Sequence, residues 1–326
     1  MRAVVLDEYG GTEVLRIREV PDPVPGADEV LVDVASTALN RADLLQRMGL
    51  YPGPPMPYEI PGMEFSGIVA SVGERVTSIA PGDQVMGIVG GGAYAERLVT
   101  HERMVLSVPE SVGVADAAAI PETFITAFDA LVAQGGLTSG RTALVHAGGS
   151  GVGTSAIQIA KAIGASIVVT ASSSKVDGCR ALGADLAIDY TSADFVAEVL
   201  EFTGGTGVDV VLDVIGGDYV NRNIECLATR GRIIQVGLMG GGNTKVAVGE
   251  LLRKRAHLIG TTLRSRPLEE KIAITQRFGR EMLPFFDRGA LKVVIDSRYP
   301  FDAIADAHRH MEANTNFGKI VVDVMR

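Results

Sequence analysis

Apolar positions along the chain fall into two rhythms. In the first third, runs at 3–6, 29–38, 67–72 and 84–89 read as short strands, separated by turn signals such as Pro21-Asp22-Pro23 and Pro81-Gly82-Asp83. Asn40 to Gly49 reads as a short helix ending at Gly49, and the proline-rich stretch 52–57 as a surface loop. From about Ala118 the rhythm changes. A continuous apolar run at 142–146 is followed by glycines and then by a helical pattern at 154–163. Further apolar runs at 166–171, 186–189, 208–214, 232–236 and 257–261 read as strands, with helices at 176–182 and 195–202. Strands alternating with helices predict βαβ units, a parallel sheet and right-handed crossovers that place helices on both faces. After Leu263 the pattern predicts a helix at 268–286, interrupted by Pro284, and a closing strand at 319–324. The expected organisation is therefore a β-rich N-terminal part at 1–117, an α/β domain at 118–261, and a tail at 262–326 that rejoins the first part.

Between the apolar run ending at His146 and the following helix stands Ala147-Gly148-Gly149-Ser150-Gly151-Val152-Gly153. A glycine-rich turn in a strand–turn–helix context is the fingerprint of a dinucleotide site, because free N–H groups and the helix dipole meet a pyrophosphate there. Gly148 is expected to allow the tight turn and Gly153 to allow close packing of helix on strand. Ser150 occupies the place of the second glycine; Gly151 follows at once, and the Ser150 hydroxyl is itself a possible phosphate donor. A glycine-rich loop in some other βαβ fold is the plainer alternative. The end of the next strand reads Thr170-Ala171-Ser172-Ser173-Ser174-Lys175, without the acid that holds a ribose 2′-OH in NAD sites. That favours NADPH, although Lys175 also reads as an ordinary surface lysine at a helix start.

Composition narrows the class. The 326 residues are 47% apolar and 21% charged, ordinary for a globular chain long enough for two domains. A net charge of −9 argues against a nucleic-acid partner, and the basic run Arg253-Lys254-Arg255 reads as a solvated turn. Two cysteines, Cys179 and Cys226, make no disulfide framework and are expected to be buried apolar residues of a reducing compartment. The N-terminus turns acidic too soon for a signal peptide, and no run reaches the ~18 apolar residues of a membrane span; a cytoplasmic location is expected. Among five histidines no Ser-His-Asp or Cys-His arrangement stands out. His146 reads as structural, and His308 and His310 as solvated residues of a tail helix.

Several separate stretches together resemble one family. These are Ala38-Leu39-Asn40-Arg41-Ala42-Asp43-Leu44, Ala118-Ala119-Ile120-Pro121-Glu122, Ser150-Gly151-Val152-Gly153, Gly237-Leu238-Met239-Gly240-Gly241-Gly242, Leu263-Arg264-Ser265-Arg266 and Met311-Glu312-Ala313-Asn314. The chain resembles the medium-chain dehydrogenase/reductase superfamily in its zinc-free quinone oxidoreductase branch, closest to the p53-inducible subgroup. The resemblance implies a Rossmann doubly wound domain beside a distorted β-barrel catalytic domain, a cleft between them for nicotinamide and substrate, and a homodimer or homotetramer. It assigns Lys175 and Tyr190, with Ser172 nearby, to the 2′-phosphate, and Thr126 to the nicotinamide. Asn40 and Tyr51 would line the substrate cleft. Ile215 and Leu238 would present backbone to the cofactor, and Lys319 would close over it.

Zinc-dependent relatives carry Cys where Asn40 stands and Gly-His-Glu where Gly62-Met63-Glu64 stands, so both soft ligands are gone. Glu64 then reads as a buried helix cap or salt-bridge partner. Without a Lewis acid, alcohol oxidation is disfavoured, whereas a quinone already accepts hydride readily. The expected activity is NADPH-dependent quinone reduction. The alternatives are reduction of an activated C=C bond in enones or alkenals, and non-catalytic NADPH binding of the lens-crystallin kind.

Overall fold

The computed structural model describes residues 1–325. The chain divides into two compact units, Met1–Ile125 with Arg264–Arg326, and Thr126–Leu263. Their first boundary falls inside a helix, α3, whereas the change of rhythm places it at 117/118. In chain order the first unit begins with β1 (Arg2–Val5), β2 (Arg16–Glu19), β3 (Glu29–Ala38), α1 (Arg41–Arg47), β4 (Glu64–Val72), β5 (Gln84–Ile88), β6 (Arg97–His101), β7 (Val105–Ser107), α2 (Val114–Ala117) and α3 (Pro121–Phe128). The second holds β8 (Thr142–Val145), α4 (Gly151–Ala162), β9 (Ser166–Ala171), α5 (Ser173–Ala181), β10 (Leu186–Asp189), α6 (Phe195–Phe202), β11 (Val208–Asp213), α7 (Tyr219–Glu225), β12 (Leu227–Gln235), α8 (Val248–Lys254) and β13 (His257–Gly260). The first unit closes with α9 (Leu268–Asp287), β14 (Ile295–Pro300), α10 (Ile304–Glu312) and β15 (Lys319–Asp323).

The first unit is built on β3, which pairs antiparallel with β4, β6 and β15 in a seven-stranded sheet. The tail thus returns to the N-terminal strands: Val321 faces Ala38 in register. Alternate residues of β3 (Val30, Val32 and Val34) are fully buried and pack with Phe65, Ile320 and Val322 in one core, the period-2 signature of a strand with one face inward. The consequence for chemistry is positional. The C-terminal end of β3, the start of β4 and the start of β15 lie together, so Asn40, Glu64 and Lys319 converge.

The second unit is a six-stranded, wholly parallel sheet in the order β10-β9-β8-β11-β12-β13. In the unit's own count this is 3-2-1-4-5-6, the doubly wound order in which a dinucleotide lies across the carboxyl ends of the strands where the order reverses, here between β8 and β11. The central strands are buried on both faces, which is why β8 and β9 read as largely apolar runs, while β11 keeps Asp209 and Asp213 among its buried valines.

The structure departs from the sequence expectations at five points. Helices α7 and α8 were not anticipated. Lys254 is no solvated-turn residue: it ends α8, is 9% exposed, and its ammonium donates to the carbonyls of Glu225 (2.7 Å) and Leu227 (2.6 Å), burying the stem while the head group stays bonded. Pro284 does not interrupt α9: the helix runs through it to Asp287, missing the one ladder bond that the proline nitrogen cannot donate. His308 is fully buried on α10, its ring edge-on to Tyr94 and its Nε2 3.3 Å from the Tyr94 hydroxyl; burial pushes its pKa down to about 3. His310 is not simply solvated either, since its Nδ1 lies 3.1 Å from the Tyr299 hydroxyl.

Candidate functional site

In the second unit the phosphate-type turn is closed by its own side chain. Ser150 is the N-cap of α4, its Oγ accepting from the Gly153 N–H at 3.0 Å, which leaves the hydroxyl proton to donate elsewhere. The N–H groups of Gly151 and Val152 open the helix and have no intrahelical partner, so three adjacent donors are available to an anion. The left-handed residue of the turn is Ala147, at φ 59°, not Gly148. Gly148 is there for space: a Cβ on it would stand 2.8 Å from the Val169 side chain and 3.1 Å from Cys179 Sγ. A Cβ on Gly153 would stand 2.3 Å from the Ala147 carbonyl oxygen, so the helix start backs directly onto the turn. The turn fits a pyrophosphate.

Beside it, Ser172 is the N-cap of α5 but its hydroxyl does not cap the helix; Lys175 lies in the first turn of α5. Tyr190 is 49% exposed just past β10, its N–H bonded to Ala171 O at 3.2 Å. The three residues assigned to the 2′-phosphate therefore share one edge of the sheet. So does a residue that the sequence reading missed. Asp189 pairs with Ala171 in the β9–β10 register, and its carboxylate accepts from Ser173 Oγ at 2.5 Å and from the Thr191 N–H at 2.9 Å. The Ser173 bond first, then bonds from the Thr191 hydroxyl and N–H, hold its pKa down to about 2. Ile215 follows β11, in a turn held by Asp213, whose Oδ1 accepts from the N–H groups of Ile215 (2.6 Å) and Gly216 (3.0 Å). Leu238 stands 59% exposed beyond β12, its Cδ2 3.1 Å from where a Cβ on Gly216 would sit.

The first unit holds a buried charge cluster. Lys319 is 4% exposed, and its ammonium donates to Leu39 O (2.6 Å) and Asn40 Oδ1 (2.7 Å) and pairs with Glu64 Oε1 (2.7 Å). All three ammonium protons are thus engaged within the cluster, at the residue that the resemblance expects to close over a cofactor. Asn40 is 8% exposed; its amide donates to Glu64 Oε1 (2.8 Å) and Ala38 O (3.3 Å). The other Glu64 oxygen accepts from the Glu122 N–H at 2.8 Å, at the start of α3. Glu64 is thus helix cap and salt-bridge partner at once. Asp43 completes the cluster, accepting from the Asn40 N–H at 2.8 Å, with burial pushing its pKa up to about 6. Burial, then the nearby Glu64 carboxylate, pushes Glu122 up to about 8, and its Oε2 is enclosed without a hydrogen-bond partner.

A zinc ion does not fit this locus. Asn40 and the 3%-exposed Met63 replace the soft ligands, and both Glu64 oxygens are already taken. The neighbouring loop is organised by Arg264, which donates to Gly90 O (2.6 Å), Gln46 Oε1 (2.6 Å) and Tyr51 O (3.3 Å), and whose guanidinium lies 4.9 Å from the Tyr51 ring centroid. Burial, more than any charge, raises the Tyr51 pKa, so its phenol stays a hydrogen-bond donor. Thr126 is a buried residue of α3.

A coenzyme-type turn on a doubly wound sheet, joined in one chain to a mixed-sheet unit with a vacated zinc locus, defines a two-domain nucleotide-dependent dehydrogenase. Residues 26–110 match the alcohol dehydrogenase GroES-like domain and residues 151–277 the zinc-binding dehydrogenase family. The synaptic vesicle membrane protein VAT-1 homolog of Rattus norvegicus is 31% identical over 99% of this chain and 84% of its own length. The quinone oxidoreductase of Homo sapiens is 29% identical over 95% and 94%. Among solved structures, Escherichia coli quinone oxidoreductase complexed with NADPH superposes with a TM-score of 0.89 at 28% identity, over 99% and 100% of the two chains. An NAD-dependent alcohol dehydrogenase gives 0.88 at 34% over all of both chains, and CurK enoyl reductase gives 0.87 at 28% over 99% and 98%. The chain belongs to the medium-chain dehydrogenase/reductase superfamily. Its quinone oxidoreductase relatives place it in the zinc-free branch.

Proposed function

We propose that the protein is an NADPH-dependent quinone oxidoreductase that works without metal. The observation that carries this reading is the Lys319–Glu64–Asn40 clasp, which closes the locus where zinc-dependent relatives hold their Lewis acid. When bound, the nicotinamide supplies the hydride. The chain's own residues supply binding and orientation: the Ser150-capped turn receives the pyrophosphate, and Ser172, Lys175 and Tyr190 face the 2′-phosphate. The Tyr51 phenol donates a hydrogen bond to an acceptor oxygen. Asn40, whose amide is fixed by Glu64 and Lys319, shapes the acceptor site from behind. Thr126 stands at the nicotinamide, and Ile215 and Leu238 offer backbone to the cofactor.

A second reading, reduction of a conjugated C=C bond, is favoured by the likeness to an enoyl reductase. An NADPH-oxidation screen against quinones, enones and aldehydes separates the two. Quinone turnover is expected to dominate and to be unchanged by a chelator. Zinc at one equivalent, lost together with activity on chelation, would refute the metal-free mechanism; enone turnover without quinone turnover would favour the second reading.

The same reading carries a cytoplasmic location, supported by two buried free cysteines, and a homo-oligomer. Among the described residues no helix is long and apolar enough to cross a membrane. Strand β13 is paired on one side only, with Leu258 39% exposed, an open edge that a second copy would cover. Sedimentation is expected to give a dimer or tetramer, and Leu258→Arg to shift it toward monomer; a monomeric wild type would refute the assembly.

A further inference from the structure

The carboxyl ends of β8, β9 and β11, which carry the three nucleotide-facing turns, are joined by a buried chain of hydrogen bonds. His146, which follows β8 and precedes the phosphate turn, is fully buried. Its Nδ1 lies 2.9 Å from Thr170 Oγ1, in β9 just before Ser172. Its Nε2 lies 2.7 Å from Asn223 Oδ1, on α7. The Asn223 amide nitrogen donates to Asp213 Oδ2 at 2.9 Å, and the other Asp213 oxygen holds the N–H groups of Ile215 and Gly216. The backbone carbonyl of Asp213 in turn accepts from Val236 N–H (2.8 Å) and Gln235 Nε2 (3.1 Å), at the end of β12.

The direction of every bond follows from chemistry. A carboxylate only accepts, so the Asn223 amide must turn its NH₂ toward Asp213 and its oxygen toward His146. An amide oxygen also only accepts, so the proton of the imidazole sits on Nε2. Nδ1 is then the acceptor, and Thr170 donates to it. Rings of Phe195 and Tyr219 pack edge-on against the imidazole at centroid distances of 5.0 and 4.8 Å, which blocks rotation. The neutral ring matches its burial, which lowers the His146 pKa.

We propose that Asn223 is a positioning residue for the cofactor: through His146 and Asp213 it fixes the Ile215–Gly216 turn relative to the phosphate turn. In a doubly wound sheet the strands after the switch point receive the second mononucleotide of a dinucleotide. The relay thus sets where the nicotinamide half is held once the pyrophosphate is docked. It is shared by both cofactors and is blind to the 2′-phosphate. The inference rests on the nicotinamide-cofactor reading above.

The test has two arms. In the wild-type protein, ¹⁵N NMR should show His146 as the Nε2–H tautomer; the Nδ1–H tautomer would overturn the relay. In Asn223→Ala, the Ile215 and Gly216 amides should exchange faster, and dissociation constants for NADPH and NADH should both rise about tenfold, the loss of one well-placed hydrogen bond, with their ratio unchanged. Asn223→Asp, which keeps the shape but sets a carboxylate against Asp213, should act in the same direction if the alanine variant does not fold. Unchanged affinities in a folded variant whose turn exchanges faster would overturn the inference alone. A wild type that binds neither cofactor would overturn it together with the reading on which it rests.

Discussion

Lys319→Met is expected to destabilise the first unit by about 3–5 kcal/mol, the usual cost of leaving one member of a buried ion pair without its partner. Glu64 is fully buried, and its Oε1 would keep only the Asn40 amide. Leu39 O and Asn40 Oδ1 would each lose a donor as well. The double variant Glu64→Gln/Lys319→Met removes both charges at similar volume and should recover most of that stability, because a buried pair often contributes little beyond an apolar or neutral replacement. Thermal or denaturant unfolding of the wild type, both single variants and the double variant closes a thermodynamic cycle. A Lys319→Met protein as stable as the wild type would mean that the ammonium is solvated and that the clasp does not exist in solution. Quinone turnover adds a second measurement. If the clasp also orients Asn40 for the acceptor, the double variant will be stable yet slower, with kcat lowered more than cofactor affinity. Full recovery of both would restrict the clasp to stability.

What the sequence could and could not reveal divides along physical lines. Strands β9 and β10 and helix α6 were legible to the residue, because buried parallel strands and strongly apolar helix faces leave unbroken or periodic signals. Helix α7 was not, since its inward stripe is only Val220, Asn223 and Ile224, with a polar residue at its centre, too short and too mixed to stand out as a helical period before its packing against β12 is seen. The glycine turn was legible as chemistry, but nothing in the sequence marks Ala147, a residue with a Cβ, as the one that takes the positive φ. Missing zinc ligands at Asn40 and Met63 could be counted from the sequence. What replaced them could not, because Lys319 and Glu64 come from opposite ends of the chain and meet only through the β15–β3–β4 pairing. His308 was misread for a related reason: a histidine on a short amphipathic helix looks solvated until Tyr94 is placed beside it.

Asp189 sharpens the question of cofactor choice. The acid that selects NADH was sought at the end of β9 and is absent there, yet the β9–β10 register brings a carboxylate alongside, bonded to Ser173 between Ser172 and Lys175. A 2′-phosphate carries up to about two negative charges near neutral pH, so at this edge Lys175 attracts it while Asp189 opposes it. If the Lys175 ammonium holds the phosphate, a charge-assisted bond of roughly 1.5–3 kcal/mol is at stake. Lys175→Ala should then weaken NADPH binding about ten- to 150-fold and leave NADH, which lacks the phosphate, nearly unchanged. Asp189→Asn removes the opposing charge, keeps a side-chain oxygen to accept from Ser173, and should strengthen NADPH binding selectively. The Asp189 effect should shrink as salt is raised, since the group is only half-buried and open to screening. The carboxyl is held near a pKa of about 2, so its charge is constant across the neutral range and the preference should not vary with Asp189 ionisation above pH 5. Titration of both cofactors against wild type, Lys175→Ala and Asp189→Asn decides the matter. Equal losses for the two cofactors in Lys175→Ala would remove the lysine from the phosphate site. A wild type that prefers NADH, turned toward NADPH by Asp189→Asn, would make Asp189 the controlling residue and NADH the working cofactor.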